Sequence, residues 1–158
     1  IPTYVSPHKH TDLAPYEDRA EMCRRAFGHI PGVEVSDIEV RLGGTSYSIN
    51  TVRALKEMYP NEQFFLLIGG DMLFSFDKWY KYESLLKETK VCAAARDGDS
   101  LADMMEYANE LGRIKVLPTQ AVEMSSTEVR NIVAHGGDYS GMVPQGVAEY
   151  IREKGLYR

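Results

Sequence analysis

The chain is 158 residues long, 44% hydrophobic and 26% charged, with a net charge of −5. That length suits one domain, the balance is globular, and the acidic surplus argues against broad binding to nucleic acid or to anionic membrane surfaces. No apolar run is long enough to span a bilayer, the N-terminus lacks a signal-peptide layout, and the two cysteines, without metal-ligand spacing, fit reduced thiols in a cytoplasmic protein, with a single disulfide left open.

In chain order, "IPTYV" (1–5) reads as the end of a strand. Pro15 to Phe27 predicts a helix: proline suits its first turn, Met22, Cys23, Ala26 and Phe27 face inward, and Gly28 stops it. "VEVSDIEVR" (33–41) alternates and predicts a strand near a sheet edge. Thr51 to Tyr59 predicts a helix on Val52, Leu55 and Tyr59. "QFFLLIGG" (63–70) is apolar without alternation, which predicts a parallel strand covered on both faces.

Asp77 to Lys87 predicts a helix carrying Trp79, Tyr82, Leu85 and Leu86. "KVCAAAR" (90–96) and "RIKVLPT" (113–119) predict two further strands. Between them Ser100 caps a helix that stops at Gly112. Val129, Ile132 and Val133 share a helix face closed by His135-Gly136-Gly137, and Pro144 to Lys154 predicts the last helix, ended by Gly155. Strands alternating with helices imply βα units in a doubly wound parallel sheet of the α/β class. Ligands bind such sheets beyond the carboxyl ends of the strands.

The residues at those ends are polar, basic or glycine-rich. Gly69 and Gly70 let a ligand approach the backbone, and Asp71 suits a ribose hydroxyl or a base; a glycine turn with a capping aspartate accounts for the same residues. Ser46-Tyr47-Ser48 opens a helix able to hold an anion, or is simply a polar loop. Trp79, the only tryptophan, packs in a core or offers a face to a flat, cationic ring. His8 and Lys9 are loop residues that would add charge beside a phosphate, and His8 with His10 is weak grounds for a metal.

"MSSTEVR" (124–130) carries the most chemistry. Ser125 and Glu128 fit a capping box. That pattern leaves Ser126, Thr127 and Arg130 without a purpose. A helix N-terminus with extra hydroxyl donors and an arginine one turn in suits a polyphosphate.

Taken together, "SPHK", "VSDIEVRLGGTSYSINTVRALKEMYP", "FFLLIGGDML…KWYKYESLL", "MSSTEVR" and "VPQGVAEYIREKGLY" resemble, in this order, the bacterial nicotinate-nucleotide adenylyltransferases. The resemblance covers nearly the whole chain. "SSTEVR" is shared across the nucleotidyltransferase superfamily, whereas "TSYSINT" followed by "GGDM" and "KW" is specific to the nicotinate branch.

The resemblance implies a Rossmann-like nucleotidyltransferase fold and transfer of AMP from ATP to nicotinate mononucleotide, giving nicotinate adenine dinucleotide and pyrophosphate. By position, it assigns Ser125, Ser126, Thr127 and Arg130 to the ATP phosphates, and Gly69, Gly70 and Asp71 to the adenosine side. Ser46 and Tyr47 would offer backbone N–H groups to the nicotinate carboxylate, and Trp79 would stack on the pyridine ring. His8, Lys9 and Arg130 would supply catalytic charge, with Mg2+ arriving on ATP and no protein metal site. The expected partners are ATP and nicotinate mononucleotide, without nucleic acid or membrane, and a homodimer is the oligomer to test for.

The family opens with a strand and a "G-x-F-D-P-x-H-x-G-H" loop that these residues do not contain. The expectation is therefore a single nucleotidyltransferase domain over 1–158 that lacks its first strand-helix unit, with low activity of these residues alone. The rival expectations are adenylyl transfer to phosphopantetheine or to nicotinamide mononucleotide, and a non-catalytic nucleotide-binding relative.

Overall fold

A computed structural model describes residues 1–7, 13–95, 98–119 and 124–158. By their contacts the residues fall into two compact units, one of residues 1–46 with 124–158 and one of residues 47–123. None of the described helices is long and apolar enough to cross a membrane.

The first unit is helical: α1 (Tyr16–Phe27), α2 (Ile38–Leu42), α7 (Ser126–Ala134) and α8 (Gln145–Lys154). Its core joins Val129 and Val133 of α7 to Val147 and Ile151 of α8, with Met22 and Ala26 of α1 packed against them. A polar seam fixes α1 beside α8. Arg25 pairs with Glu21 and Glu153 and lies over the Tyr150 ring at 4.5 Å, while Tyr150 donates to Asp18 Oδ1 at 2.7 Å. That hydrogen bond to a carboxylate is the main reason the Tyr150 hydroxyl titrates above its ordinary value.

Pro15 and Gly28 bound α1 as expected, but Phe27, expected inside, is exposed. Residues 33–41 do not form a strand. The alternation breaks between Val35 and Ile38, a helical interval, and the chain uses it: Ser36 Oγ accepts from Ile38 N at 3.3 Å. The Asp37 carbonyl then accepts from Arg41 N at 3.2 Å, and Arg41 pairs with Asp37 at 2.8 Å. The helix α2 buries Ile38 and ends at Gly43, whose positive φ of 68° suits glycine. Residues 1–5 likewise form no strand; they are held instead by Ser46 and by Arg19, whose guanidinium donates to the carbonyls of Thr3 and Ala14.

The second unit carries α3 (Ser48–Met58), β1 (Phe65–Gly69), α4 (Gly70–Leu73), a 3₁₀ turn (Phe76–Lys78), α5 (Tyr82–Glu88), β2 (Lys90–Ala94), α6 (Leu101–Leu111) and β3 (Ile114–Leu117). The strands are parallel in the order β1-β2-β3, with Leu67 opposite Cys92 and Cys92 opposite Lys115. This is the Rossmann-like α/β arrangement expected from the alternation of strands and helices.

One face of the sheet supplies Ile68, Val91 and Ala93 to a core completed by Ile49 and Val52 of α3, Leu73 of α4, Phe76, Leu85 of α5 and Met104 of α6. Phe65 and Leu67 point to the other face and remain 63% and 66% exposed, so β1 is not covered on both sides as its continuous apolar run suggested. Apolarity without alternation says that either face tolerates burial, and does not say that both are buried.

Two helix boundaries also moved. The helix expected from Thr51 starts at Ser48, with Tyr47 as its N-cap. The helix expected over 77–87 is broken: Trp79 is extended (φ −73°, ψ 142°), Lys81 is left-handed at φ 54°, and only then does α5 begin. The rings of Trp79 and Tyr82 both pack on the fully buried Phe76, with centroids 5.1 and 6.3 Å away. An aromatic cluster satisfied the three-residue spacing that had looked helical.

Candidate functional site

Within the second unit the sheet delivers β1 directly into a tight turn. Gly69 ends the strand and caps α4, and Gly70 is buried at the start of that helix. Neither glycine has a positive φ, so a left-handed turn is not the reason for them. Space is the reason at Gly70: a Cβ there would stand 2.3 Å from Asp99 Oδ2 and 2.9 Å from Asp99 Cγ. The carboxylate of Asp99, beyond the end of β2, therefore sits against the backbone at the β1 exit. Asp71 follows, exposed in the first turn of α4. Asp99 had not been singled out; "RDGDS" after the second strand was its only signal.

The same unit places Tyr47 and Trp79 on one core. Both are partly buried and packed against the Phe76 cluster. The Tyr47 carbonyl accepts from Asn50 N at 2.9 Å and closes the first turn of α3. Trp79 donates its backbone N–H to Phe76 O at 3.0 Å and accepts at its carbonyl from Tyr82 N at 3.1 Å, so its backbone is fixed at both ends. The residue as a whole is partly buried, and its indole Nε1 is buried.

In the first unit, Ser46 is a tie. Its Oγ accepts from Tyr4 N at 3.0 Å and Val5 N at 3.2 Å, and its own N–H donates to Val5 O at 2.9 Å. The backbone donor expected of Ser46 is thus already engaged within the protein.

The first turn of α7 is built as its sequence suggested. Ser125 is the N-cap, and its Oγ accepts from Glu128 N at 3.1 Å. Ser126 and Thr127 are exposed on that turn, and Arg130, one turn along, donates from Nη2 to Thr127 Oγ1 at 3.1 Å. The cap occupies one hydroxyl; it leaves a guanidinium and two further hydroxyls gathered at a positive helix end. Partly buried Tyr157 has its hydroxyl pushed up in pKa chiefly by desolvation, with Arg130 acting in the opposite sense.

His8 and Lys9 lie outside the described residues, as does Arg96. Among the described residues there is no cluster of three His, Cys, Asp or Glu side chains able to hold a metal ion, and both cysteines are free thiols.

The chain matches a family model described as cytidylyltransferase-like over residues 1–132. It is 37% identical to a protein of Thermosipho melanesiensis named "Probable nicotinate-nucleotide adenylyltransferase", over 97% of this chain and 78% of that protein. It is 35% identical to one of the same name from Rhodopirellula baltica, over 100% of this chain and 78% of that protein. Among solved structures, the Plasmodium falciparum nicotinic acid mononucleotide adenylyltransferase complexed with NaAD superposes with a TM-score of 0.76, covering 98% of this chain and 79% of that one. At 15% identity that likeness speaks for the fold alone.

Proposed function

The chain belongs to the nicotinate-nucleotide adenylyltransferases of the cytidylyltransferase-like family, and on that premise we propose that it transfers AMP from ATP to nicotinate mononucleotide, releasing pyrophosphate. One observation carries the reading: 37% identity to a relative of that name over 97% of the chain. Two local features support it: a capped helix mouth with two exposed hydroxyl residues and an arginine at α7, and Tyr47 and Trp79 packed on one core in the second unit.

In this reading the first turn of α7 holds the triphosphate. Ser126 and Thr127 supply hydroxyl donors, Arg130 supplies fixed charge, and Ser125 organises the turn by capping it. Gly69, Gly70 and Asp71 line the adenosine side, where a side chain on Gly70 would meet the Asp99 carboxylate. Trp79 stacks on the pyridinium. The N–H of Tyr47 meets the nicotinate carboxylate, and Ser46, its own N–H spent on Val5, fixes the turn that aims it.

The reaction is an in-line displacement. A phosphate oxygen of nicotinate mononucleotide attacks the α-phosphorus of ATP, the bond to the β-phosphate oxygen breaks, and pyrophosphate leaves. No protein nucleophile is required; positioning and neutralisation of the leaving group supply the rate. Arg130, with His8 and Lys9, carries the charge that develops there. The donors on α7 suit phosphate oxygens rather than a cation, so a magnesium ion would arrive on ATP rather than on protein ligands and would supply charge neutralisation there.

The test is direct. The purified protein is incubated with ATP, magnesium and nicotinate mononucleotide, and dinucleotide and pyrophosphate are quantified, with nicotinamide mononucleotide and phosphopantetheine as rival acceptors. Formation of nicotinate adenine dinucleotide in preference to the other products is expected. Equal use of the nicotinamide compound would remove the carboxylate role of Tyr47, and transfer to phosphopantetheine alone would replace the function.

A further inference from the structure

The acceptor reading above uses Tyr47 and Trp79, which lie on different elements of the second unit. Tyr47 ends the loop before α3; Trp79 ends the 3₁₀ turn before α5. A flat substrate held by a helix mouth on one element and by a ring on the other is bound well only if their separation is fixed beforehand.

The side chain that spans the two is Tyr80. Its ring lies on that of Tyr47, with centroids 4.4 Å apart and planes inclined by 35°. This is a close, tilted aromatic contact. Tyr80 is peptide-bonded to Trp79, so whatever holds the Tyr80 ring also holds the tryptophan backbone. The following residue, Lys81, adopts a left-handed φ of 54° and brings its Nζ to 5.1 Å from the Tyr80 ring centroid. A non-glycine residue in that conformation carries a backbone cost that the surrounding packing must offset.

Tyr80 is itself 48% exposed. A large ring left half in solvent contributes less to the core than a buried one does, and it lies on the ring of the α3 N-cap residue, Tyr47. A second link between the two elements, the Arg53–Glu88 pair at 2.7 Å, lies farther along α3 and at the end of α5. That pair sets the packing of the two helices, whereas the ring pair sets the distance at the α3 mouth.

We infer that Tyr80 is a positioning residue for the acceptor: its ring, laid on Tyr47, fixes the mouth of α3 relative to Trp79, so that both are presented as one preformed subsite. The inference rests on the proposed acceptor reading. It also makes a statement about Trp79 that needs no substrate.

The experiment compares Tyr80→Ala with Tyr80→Phe in the full chain. The phenylalanine variant keeps the ring and should behave as the parent. The alanine variant should raise KM for nicotinate mononucleotide about tenfold, on the scale of one lost aromatic pair and its ordering, while KM for ATP stays within about twofold, since the ring pair is assigned to the acceptor alone. Because Trp79 is the only tryptophan, its fluorescence reports the same change without ligand. Acrylamide should quench it more strongly in Tyr80→Ala than in the parent, and equally in Tyr80→Phe.

Unchanged quenching in Tyr80→Ala overturns the inference whatever the activity. Equal rises in both KM values overturn it by showing general loosening, and a defect in Tyr80→Phe overturns it by assigning the effect to the hydroxyl. Increased quenching in Tyr80→Ala, together with a parent protein that does not use nicotinate mononucleotide, upholds the packing role and rejects the acceptor reading.

Discussion

The guanidinium of Arg130 reaches back along its helix and donates to the Thr127 hydroxyl at 3.1 Å. The contact preorganises the charge at the helix mouth and costs no backbone donor. Arg130→Ala should lower kcat/KM by about 10²–10³, the usual loss for one charged donor to a developing anion. Arg130→Lys should recover little, because an ammonium lacks the planar fork. Steady-state kinetics with ATP varied would check both, and a lysine variant close to the parent would argue against a geometric role.

Gly70 stands where a methyl group would meet Asp99 at 2.3 Å. Gly70→Ala should therefore displace the Asp99 carboxylate and destabilise the protein by about 1 kcal/mol, the low end of overpacking costs, and raise KM for ATP. Adding Asp99→Ala should return much of the stability, since the obstructing atoms are the far end of that side chain. Denaturant unfolding of both variants measures this; an identical loss in the two backgrounds would exclude the contact as its cause.

Phe76 is fully buried beneath the rings of Trp79 and Tyr82. Phe76→Ala should cost about 3–5 kcal/mol and shift Trp79 emission to the red as water reaches the indole. Phe76→Leu should cost less and keep more of the emission. Chemical denaturation followed by tryptophan fluorescence reads both effects in one titration.

The carboxylate of Glu88 accepts from Arg53 Nη2 at 2.7 Å and Nε at 3.0 Å. This hydrogen bonding, with the attendant charge, holds Glu88 below the ordinary glutamate range. A lowered folded-state pKa stabilises the protein above the unfolded-state value and ceases to do so as pH falls through the folded one. Glu88→Gln should thus show a small, salt-sensitive loss of melting temperature at pH 7 that closes under acid. A loss that persists at low pH would point to packing rather than charge.

Much of this was legible before any coordinates. Ser100 and Ser125 cap helices because each side-chain oxygen accepts from a backbone N–H three residues on, a relation contained within one turn. Gly28 and Gly155 end helices for equally local reasons. The three parallel strands were visible as apolar runs of strand length.

Local signals misled where apolar spacing was compatible with more than one structure. Residues 33–41 looked like a strand until Ser36 and Asp37 set a helix turn across the break in alternation. Residues 77–87 looked like one helix because Trp79, Tyr82, Leu85 and Leu86 share a helical spacing, but the Trp79 and Tyr82 rings meet on Phe76 through a 3₁₀ turn and a left-handed Lys81. Packing large rings around a buried phenylalanine decided that path, and no nearest-neighbour preference encodes it.

The sequence by itself determined the family, the three parallel strands and the capped first turn of α7, because motifs and caps act over a few residues along the chain. Only the tertiary structure decided that Asp99 closes on Gly70, that the Ser46 N–H is spent on Val5, and that Tyr80 lies on Tyr47. Each of those contacts joins residues tens of positions apart. Their distances follow from how helices and strands pack, a property of the whole fold rather than of any short stretch.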